Sequence, residues 1–453
     1  MNLELAQRVL GLVGPGIEAE VLVDHAARAL TRFANSRIHQ NVADATTTVH
    51  LRLHVDGRTA SGATTVTTDD GLRALVSRTG DAARLVPPDD SWPGLAPPAP
   101  LAGEGNWVEE TAQASPDARA DQVRAFVDAA GGLETAGYCR TLHWTAAFAN
   151  SAGQAVTGRT AEVAMDGIAR VEGADGTARL ASGRLSDVDG AALGARAAAK
   201  ARASTGAIEL SPGRYEVVLE PAAVVDMLHN LAWYGFNGRT YNERQSFAEP
   251  GAQQFDPAVT LTDDPLGDGD LGLPFDAEGT PRRRTAFVSA GVTEAVAHDR
   301  RTAAEAGTSS TGHAVGGTRS FGPRPSNLRM APGPAVAPAE AGAVIDPAAA
   351  ALVAGVRRGL LVTDLWYTRV LDPKSLVVTG LTRNGVWLIE DGELTHPVRN
   401  FRFTQSYPQA LGQGAVLGVG PAATAQPDMW GTSWWTAPAL HLASWNFTGG
   451  ASG

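Results

Sequence analysis

The sequence is nearly without cysteine: Cys139 is the one thiol in 453 residues. That excludes an internal disulfide framework and fits a reducing compartment. It also excludes a structural zinc site built on several thiolates. Long apolar runs are missing too. No stretch approaches about 18 uninterrupted apolar residues, so no membrane-spanning helix is expected. Met1 to Val13 lacks a basic start followed by a long apolar core, and reads as an amphipathic helix rather than a signal peptide. Positive charge is in deficit, with 37 Lys and Arg against 48 Asp and Glu, a net charge of −11. This argues against a nucleic-acid backbone or an anionic membrane as partner. A cytoplasmic location is expected. Familiar signatures are absent as well: HExxH, CxxC, G-x-S-x-G and the Walker A loop do not occur.

What is present suffices for real cores. Hydrophobic residues make up 43% of the chain, which excludes disorder as the overall class. At roughly 100–200 residues per domain, two or three domains are expected. Leu3 to Val13 carries a helical stripe that Gly14-Pro15-Gly16 ends. Thr48 to Val55 alternates strictly, and Asp56-Gly57 turns it toward a returning strand over Ala60 to Val66. Helices are predicted over Asp69 to Arg78, Pro116 to Ala130 and Asp187 to Ser204. Antiparallel strands are predicted over Thr135 to Phe148 and Ala155 to Val171. The proline-rich stretch 86–100 reads as an extended, solvent-exposed connection.

Near residue 205 the character changes. Arg214 to Glu220 reads as a strand, and Pro221 opens a helix with its stripe at Val224, Val225, Leu228, Leu231 and Ala232. The rest is rich in strand, Gly and Pro signals. The expectation is therefore an α+β protein. An N-terminal α/β domain, 1–205, carries an antiparallel sheet with helices. A mostly β domain, 206–453, contains the helix 221–236.

The residues alone present no self-sufficient catalytic constellation. His50 and His54 share one strand face, which suits half a metal site but better suits the polar face of a half-exposed strand. Cys139 with His143 four residues on suggests a nucleophile pair, yet a lone thiol on a strand more often packs as a small hydrophobe. Asp263, Asp264, Asp268, Asp270, Asp276 and Glu278 fail the spacing of a calcium loop and read as a solvated loop. Arg282-Arg283-Arg284 reads as its electrostatic complement or as a solvated edge. Four of the ten tryptophans, Trp430, Trp434, Trp435 and Trp445, crowd the C-terminal end, where they would line a groove, a subunit contact or a core.

Several blocks in order resemble the TldD/PmbA peptidase family. They are Ala34-Asn35-Ser36 with Arg37-Ile38-His39-Gln40; Leu261-Thr262-Asp263-Asp264-Pro265 followed by Phe275-Asp276-Ala277-Glu278-Gly279-Thr280-Pro281; Thr285 to Val292 with Ala297 to Ala303; Gly307 to Gly312; and Val398 to Ser406. Catalytic members of that family carry His-Glu-x-x-x-His on a helix and a cysteine near the C-terminus as third zinc ligand. Here the place reads His229-Asn230-Leu231-Ala232-Trp233-Tyr234, and Met429-Trp430-Gly431 stands near the cysteine's place. Asn230 cannot take a proton as the Glu would, and one histidine does not hold zinc. The resemblance therefore implies a PmbA (TldE)-type subunit with no metal and no catalytic residue of its own. It also implies a heterodimer with a TldD-like, zinc-bearing partner that degrades unstructured peptides. His229, Trp233, Tyr234, Trp430 and Trp434 are the candidates to touch substrate or partner. Two alternatives stay open: a homodimeric peptide-binding or scaffold protein, and a metallopeptidase with atypical ligands such as His229 with His298 or His313.

Overall fold

The computed structural model describes residues 2–267, 271–316, 318–335, 342–428 and 433–450, with 318 and 319 as backbone only. The N-terminal part is built on β1 (Glu18–Ala34), β2 (Arg37–Val55), β3 (Arg58–Thr64), β4 (Glu134–Asn150), β5 (Ala155–Val171) and β6 (Ala174–Ser182). They form one antiparallel sheet in the order β3-β2-β1-β4-β5-β6. Alternation in β2 sends Val49, Leu51 and Leu53 to a buried face and leaves His50, Arg52 and His54 on the other.

Helices α1 (Asn2–Gly11) and α2 (Asp69–Leu85) cover that buried face, packing Ala6, Val9, Leu72 and Leu75 on the β1 and β2 valines and leucines. After the short α3 (Glu109–Ala112), α4 (Pro116–Ala129) and α5 (Gly190–Ala203) cover the β4–β6 half through Val123, Phe126, Ala197 and Ala201. Each of these two helices has its own start signal. Ser115 caps α4 ahead of Pro116, and Asp189 caps α5. The two cross closely because Gly194 has no side chain: a Cβ there would meet the Phe126 carbonyl oxygen at 2.2 Å.

Two strands escape a reading by pattern. β1 contains Ala26, Ala27 and Ala29 among charged residues, a composition that does not suggest a strand. It is a strand because its backbone pairs on both sides, with β2 and β4. β6 likewise lacks alternation and pairs along β5.

The C-terminal part opens with β7 (Gly213–Leu219) and α6 (Pro221–Asn230). The short strands β8 (Leu261–Asp263), β9 (Thr285–Ser289), β10 (Val292–Thr293) and β11 (Leu328–Met330) follow. Then come β12 (Arg358–Asp372), β13 (Val377–Glu390), β14 (Glu393–Pro397), β15 (Phe401–Ser406), β16 (Val416–Gln426) and β17 (Trp435–Gly450). β7 pairs parallel to β12, β12 with β13, β13 with β15, β15 with β17, and β17 again with β7. The circuit of these five strands closes, while β14 pairs only with β13, β16 only with β17, and β10 ends the branch through β9, β8 and β11. Val224, Met227, Leu228 and Leu231 of the α6 segment share one core with Val217, Leu360, Phe403 and Trp445 of those strands. Trp435 and Trp445 are thus core residues.

The 86–100 stretch has no helix or strand, but it is not simply solvent-exposed. Leu95 and Ala96 are buried. Arg301 pairs with Asp89 at 2.7 Å, and Arg300 donates to the carbonyls of Pro93 and Gly94. The prolines keep the stretch extended, and these arginines bind it to the C-terminal part.

Lys200 of α5 and Glu220, just before α6, are each 2% exposed and ion-paired. Glu220 also accepts from the Asp346 amide at 2.9 Å. With its carboxylate so engaged, Glu220 makes no side-chain cap on α6. Lys200→Met would leave a buried, unpaired carboxylate, and the expected loss is about 3–5 kcal/mol in urea unfolding. Adding Glu220→Gln should recover most of it. A loss under about 1 kcal/mol would show that the pair does not tie α5 to α6.

Candidate functional site

The helix that carries His229 changes pitch just beyond it. Residues Leu231–Gly235 form a π turn, closed by Phe236 N–H donating to the Leu231 carbonyl at 2.8 Å. In a regular α-helix, residues five apart point about 140° from one another. A π turn, with its i→i+5 bonds, narrows that offset between positions 229 and 234.

Each motif residue is engaged locally. The His229 ring lies 5.6 Å from Trp435 and 5.7 Å from Trp233, between ring centroids. Burial lowers its pKa, with Arg324 adding to the effect and Asp428 opposing it. Asn230 is 4% exposed, and its Nδ2 donates to the Asp226 carbonyl at 2.9 Å and to Asp226 Oδ2 at 3.3 Å. Thr368 and Tyr407 hydroxyls also donate to that carboxylate, each at 2.7 Å. Burial nevertheless pushes Asp226 up to about 6. Tyr234 packs against the C-terminal core. The Arg324 guanidinium carbon lies 3.6 Å from the Trp233 ring centroid.

Trp434 lies apart from that cluster, in a cavity wall, and its Nε1 donates to Glu162 Oε2 at 2.8 Å. Trp430 and the Met429-Trp430-Gly431 segment fall outside the described residues. Among the described residues, no three His, Cys, Asp or Glu come together as a metal-ligand group. Positions 229, 230 and 234 offer one imidazole, an amide and a phenol, a donor set that does not fit a zinc ion.

Other sequence candidates also find local partners. His50 Nε2 lies 3.0 Å from Asp24 Oδ2, while the His54 ring stacks on Trp92 at 4.7 Å. His298 Nδ1 meets the Thr302 hydroxyl, and His313 Nδ1 the Thr311 hydroxyl. Cys139 is a core residue whose thiol burial pushes up to about 12, and the His143 ring instead meets the Ala112 carbonyl at 2.9 Å. A nucleophile needs the reverse shift.

The largest chemical concentration lies elsewhere. A cavity of about 970 Å³ opens between the β1–β3 face of the first sheet and C-terminal loops. Glu20, Asp24, Asp276 and Glu278 contribute acid to its wall, and Arg52, Arg282 and Arg324 contribute base. The expectation of a solvated acidic loop is corrected here. Asp263, Asp276 and Glu278 are no more than 5% exposed, because each carboxylate has donors fixed around it. Asp268 and Asp270 fall outside the described residues.

Arg282 Nη2 bonds both Asp263 oxygens, at 2.8 and 3.0 Å. Asp276 accepts from the amides of Glu278, Thr280 and Ala314. Arg52 Nη2 lies 2.6 Å from Glu20 and 3.0 Å from Glu278. The sequence signals for this segment were the acidic run with Arg282-Arg283-Arg284 as its complement, which the Arg282–Asp263 pair matches, and the blocks from Leu261 to Pro281 quoted for the family resemblance.

The architecture is a helix-backed antiparallel sheet set against a closed β circuit that carries a π-turned motif helix, with a charged cavity between. This is the two-part framework of a metallopeptidase-like protein. The chain belongs to the PmbA/TldD family: residues 212–449 match the PmbA/TldA metallopeptidase C-terminal domain, and residues 19–83 match domain 1. Among solved structures it is similar to TldE from Thermococcus kodakarensis, with 18% identity, a TM-score of 0.84, and 98% of this chain and 99% of that one covered. It is also similar to a proposed modulator of a DNA gyrase from Thermotoga maritima, with 18% identity, a TM-score of 0.82, and the same coverage. A proposed modulator of DNA gyrase from Bacteroides thetaiotaomicron has 20% identity, a TM-score of 0.80, and 98% of both chains covered. At these identities the likeness concerns the fold. A search of curated proteins finds no match.

Two buried acids, Glu20 in the cavity wall and Asp263 behind it on Arg282, predict opposite pH limbs. Burial pushes the Glu20 carboxyl up to about 7 from its ordinary 4.5, against the pull of Arg52. Burial acts the same way on Asp263, but Arg282 and His313 hold it down at about 2, below the ordinary 3.8. A raised acid stabilises fully below its unfolded value and loses that contribution as pH rises through the folded one; a depressed acid does the reverse. Glu20 thus contributes below about pH 4.5, fading through 7. Asp263 contributes above about pH 3.8 and loses it as pH falls through 2. The melting temperature of Glu20→Gln should fall less between about pH 5 and 8 than that of the parent protein. Parallel curves in calorimetry would refute this.

Proposed function

We propose that this chain is the zinc-free, non-catalytic subunit of a cytoplasmic, two-subunit peptidase of the TldD/TldE kind. It pairs with a TldD-like, zinc-bearing subunit, forms part of the wall of the chamber, and helps hold unstructured peptides for cleavage by the partner. The observation that carries this reading is Asn230. An amide stands where the motif of catalytic members has a proton-accepting carboxylate, and it is spent on Asp226. A guanidinium, Arg324, acts electrostatically on His229, the one motif position that retains a histidine. Asp428 acts on the same ring with the opposite sign and more strongly, so the reading rests on Asn230 and not on the charges around His229. The cavity supplies apolar and charged surface for a peptide.

Two measurements test this. The purified chain should hold well under one zinc per molecule and cut no peptide alone. Mixed with a TldD-type subunit from the same organism, it should support cleavage. Stoichiometric zinc with cleavage by the chain alone would overturn the reading. His229→Ala should cost about 1–3 kcal/mol of stability through lost aromatic packing, with cleavage by the mixture within about twofold of the parent. Loss of cleavage from an intact pair would place the imidazole against substrate or the partner's zinc.

A further inference from the structure

We propose that Arg324 anchors a carboxylate of a peptide bound in the cavity between the two parts of the chain. Arg324 is 8% exposed and contributes to the cavity wall. Its Nε and Nη1 have no hydrogen-bond partner among the described residues. The contrast with its neighbours is what matters. Arg52 bridges Glu20 and Glu278, and Arg282 grips Asp263 through both oxygens. Arg324 rests on the Trp233 face instead. A π face steadies the cation but leaves the in-plane N–H groups unmet. Burial lowers its pKa only to about 10, with the Asp428 carboxylate acting the other way, so it is charged at neutral pH. A buried cation with unmet donors calls for an anion or ordered water.

The surroundings narrow the anion. Phe148, Leu273, Phe275 and Trp434 give the wall apolar area for the body of a ligand. Trp144 lines the same cavity and carries a buried indole N–H, also without a partner among the described residues. The volume of about 970 Å³ lies at the upper end of ordinary ligand pockets. The carboxylates of Asp24 and Glu278 in the same wall would disfavour a polyanion such as a nucleotide. A single carboxylate on an apolar chain matches one guanidinium, whose N–H groups meet carboxylate oxygens in pairs. A peptide has two sources of that group, its C-terminus and its Asp or Glu side chains. This inference rests on the proposed role of the cavity in receiving peptide. It deepens that role by naming what the chain reads on the peptide.

The test uses the full chain alone. An N-acetylated apolar tripeptide is titrated as free acid and as C-terminal amide, followed by calorimetry. The acid should bind about tenfold more tightly than the amide. Arg324→Met should erase the difference, and Arg324→Lys should keep part of it, with unfolding midpoints recorded for both. An amide peptide with one internal Glu extends the test. Tight binding of this probe that is lost in Arg324→Met would support a side-chain carboxylate as a source. No gain in affinity over the neutral amide from either the free acid or the internal-Glu peptide, a gain that survives in Arg324→Met, or no binding of any peptide would overturn the proposal. Partner-dependent cleavage is scored separately. If it persists while carboxylate selectivity fails, only this inference falls; if selectivity holds without partner-dependent cleavage, only the subunit reading falls.

Discussion

One guanidinium decides how the two parts of the chain meet. Arg52, on the polar face of β2, reaches Glu20 on β1 and Glu278 on a C-terminal loop. All three side chains are largely withdrawn from water, and a buried charge is tolerable only with its partner in place. Sliding one part over the other would strand a carboxylate. The same logic repeats along the seam at Arg301 with Asp89, Arg179 with Asp364, and Lys200 with Glu220. Most hydrophobic clusters lie within one part, but Phe148 and Val156 also pack on Leu273 and Phe275 across the seam, so apolar contact and paired charges fix the alignment together.

The motif helix is held by the same kind of constraint at shorter range. Its start is tied through Glu220 to Lys200 and Asp346. Its middle is tied through Asp226, which collects donors from Thr368, Tyr407 and Asn230. Position 230 is therefore not an idle vacancy. A glutamate there would set a second acid beside Asp226 in a buried place, where like charges raise each other's pKa and cost stability. The amide removes that conflict and adds a donor.

Legibility followed period and caps. The β2 alternation, the Pro116 start of α4 and the Pro221 start of α6 all act within a few residues, so each showed in the sequence. β1 did not show, because alanines and charges carry no strand signal and its structure comes from two neighbours distant in sequence. The buried acids misled for a similar reason. Asp263 and Asp276 look solvated beside glycines and prolines, and only folding brings Arg282 and the backbone amides around them.

The sequence by itself determined the α+β character, the helix with an asparagine and a tyrosine at the motif positions, and the family these belong to. Those are matters of residue identity and local spacing. Tertiary structure alone decided which charges are buried, where the cavity lies, and that Arg324 faces it with donors unmet. Burial and pairing depend on contacts between residues hundreds of positions apart, such as Arg52 with Glu278, and no local pattern encodes them.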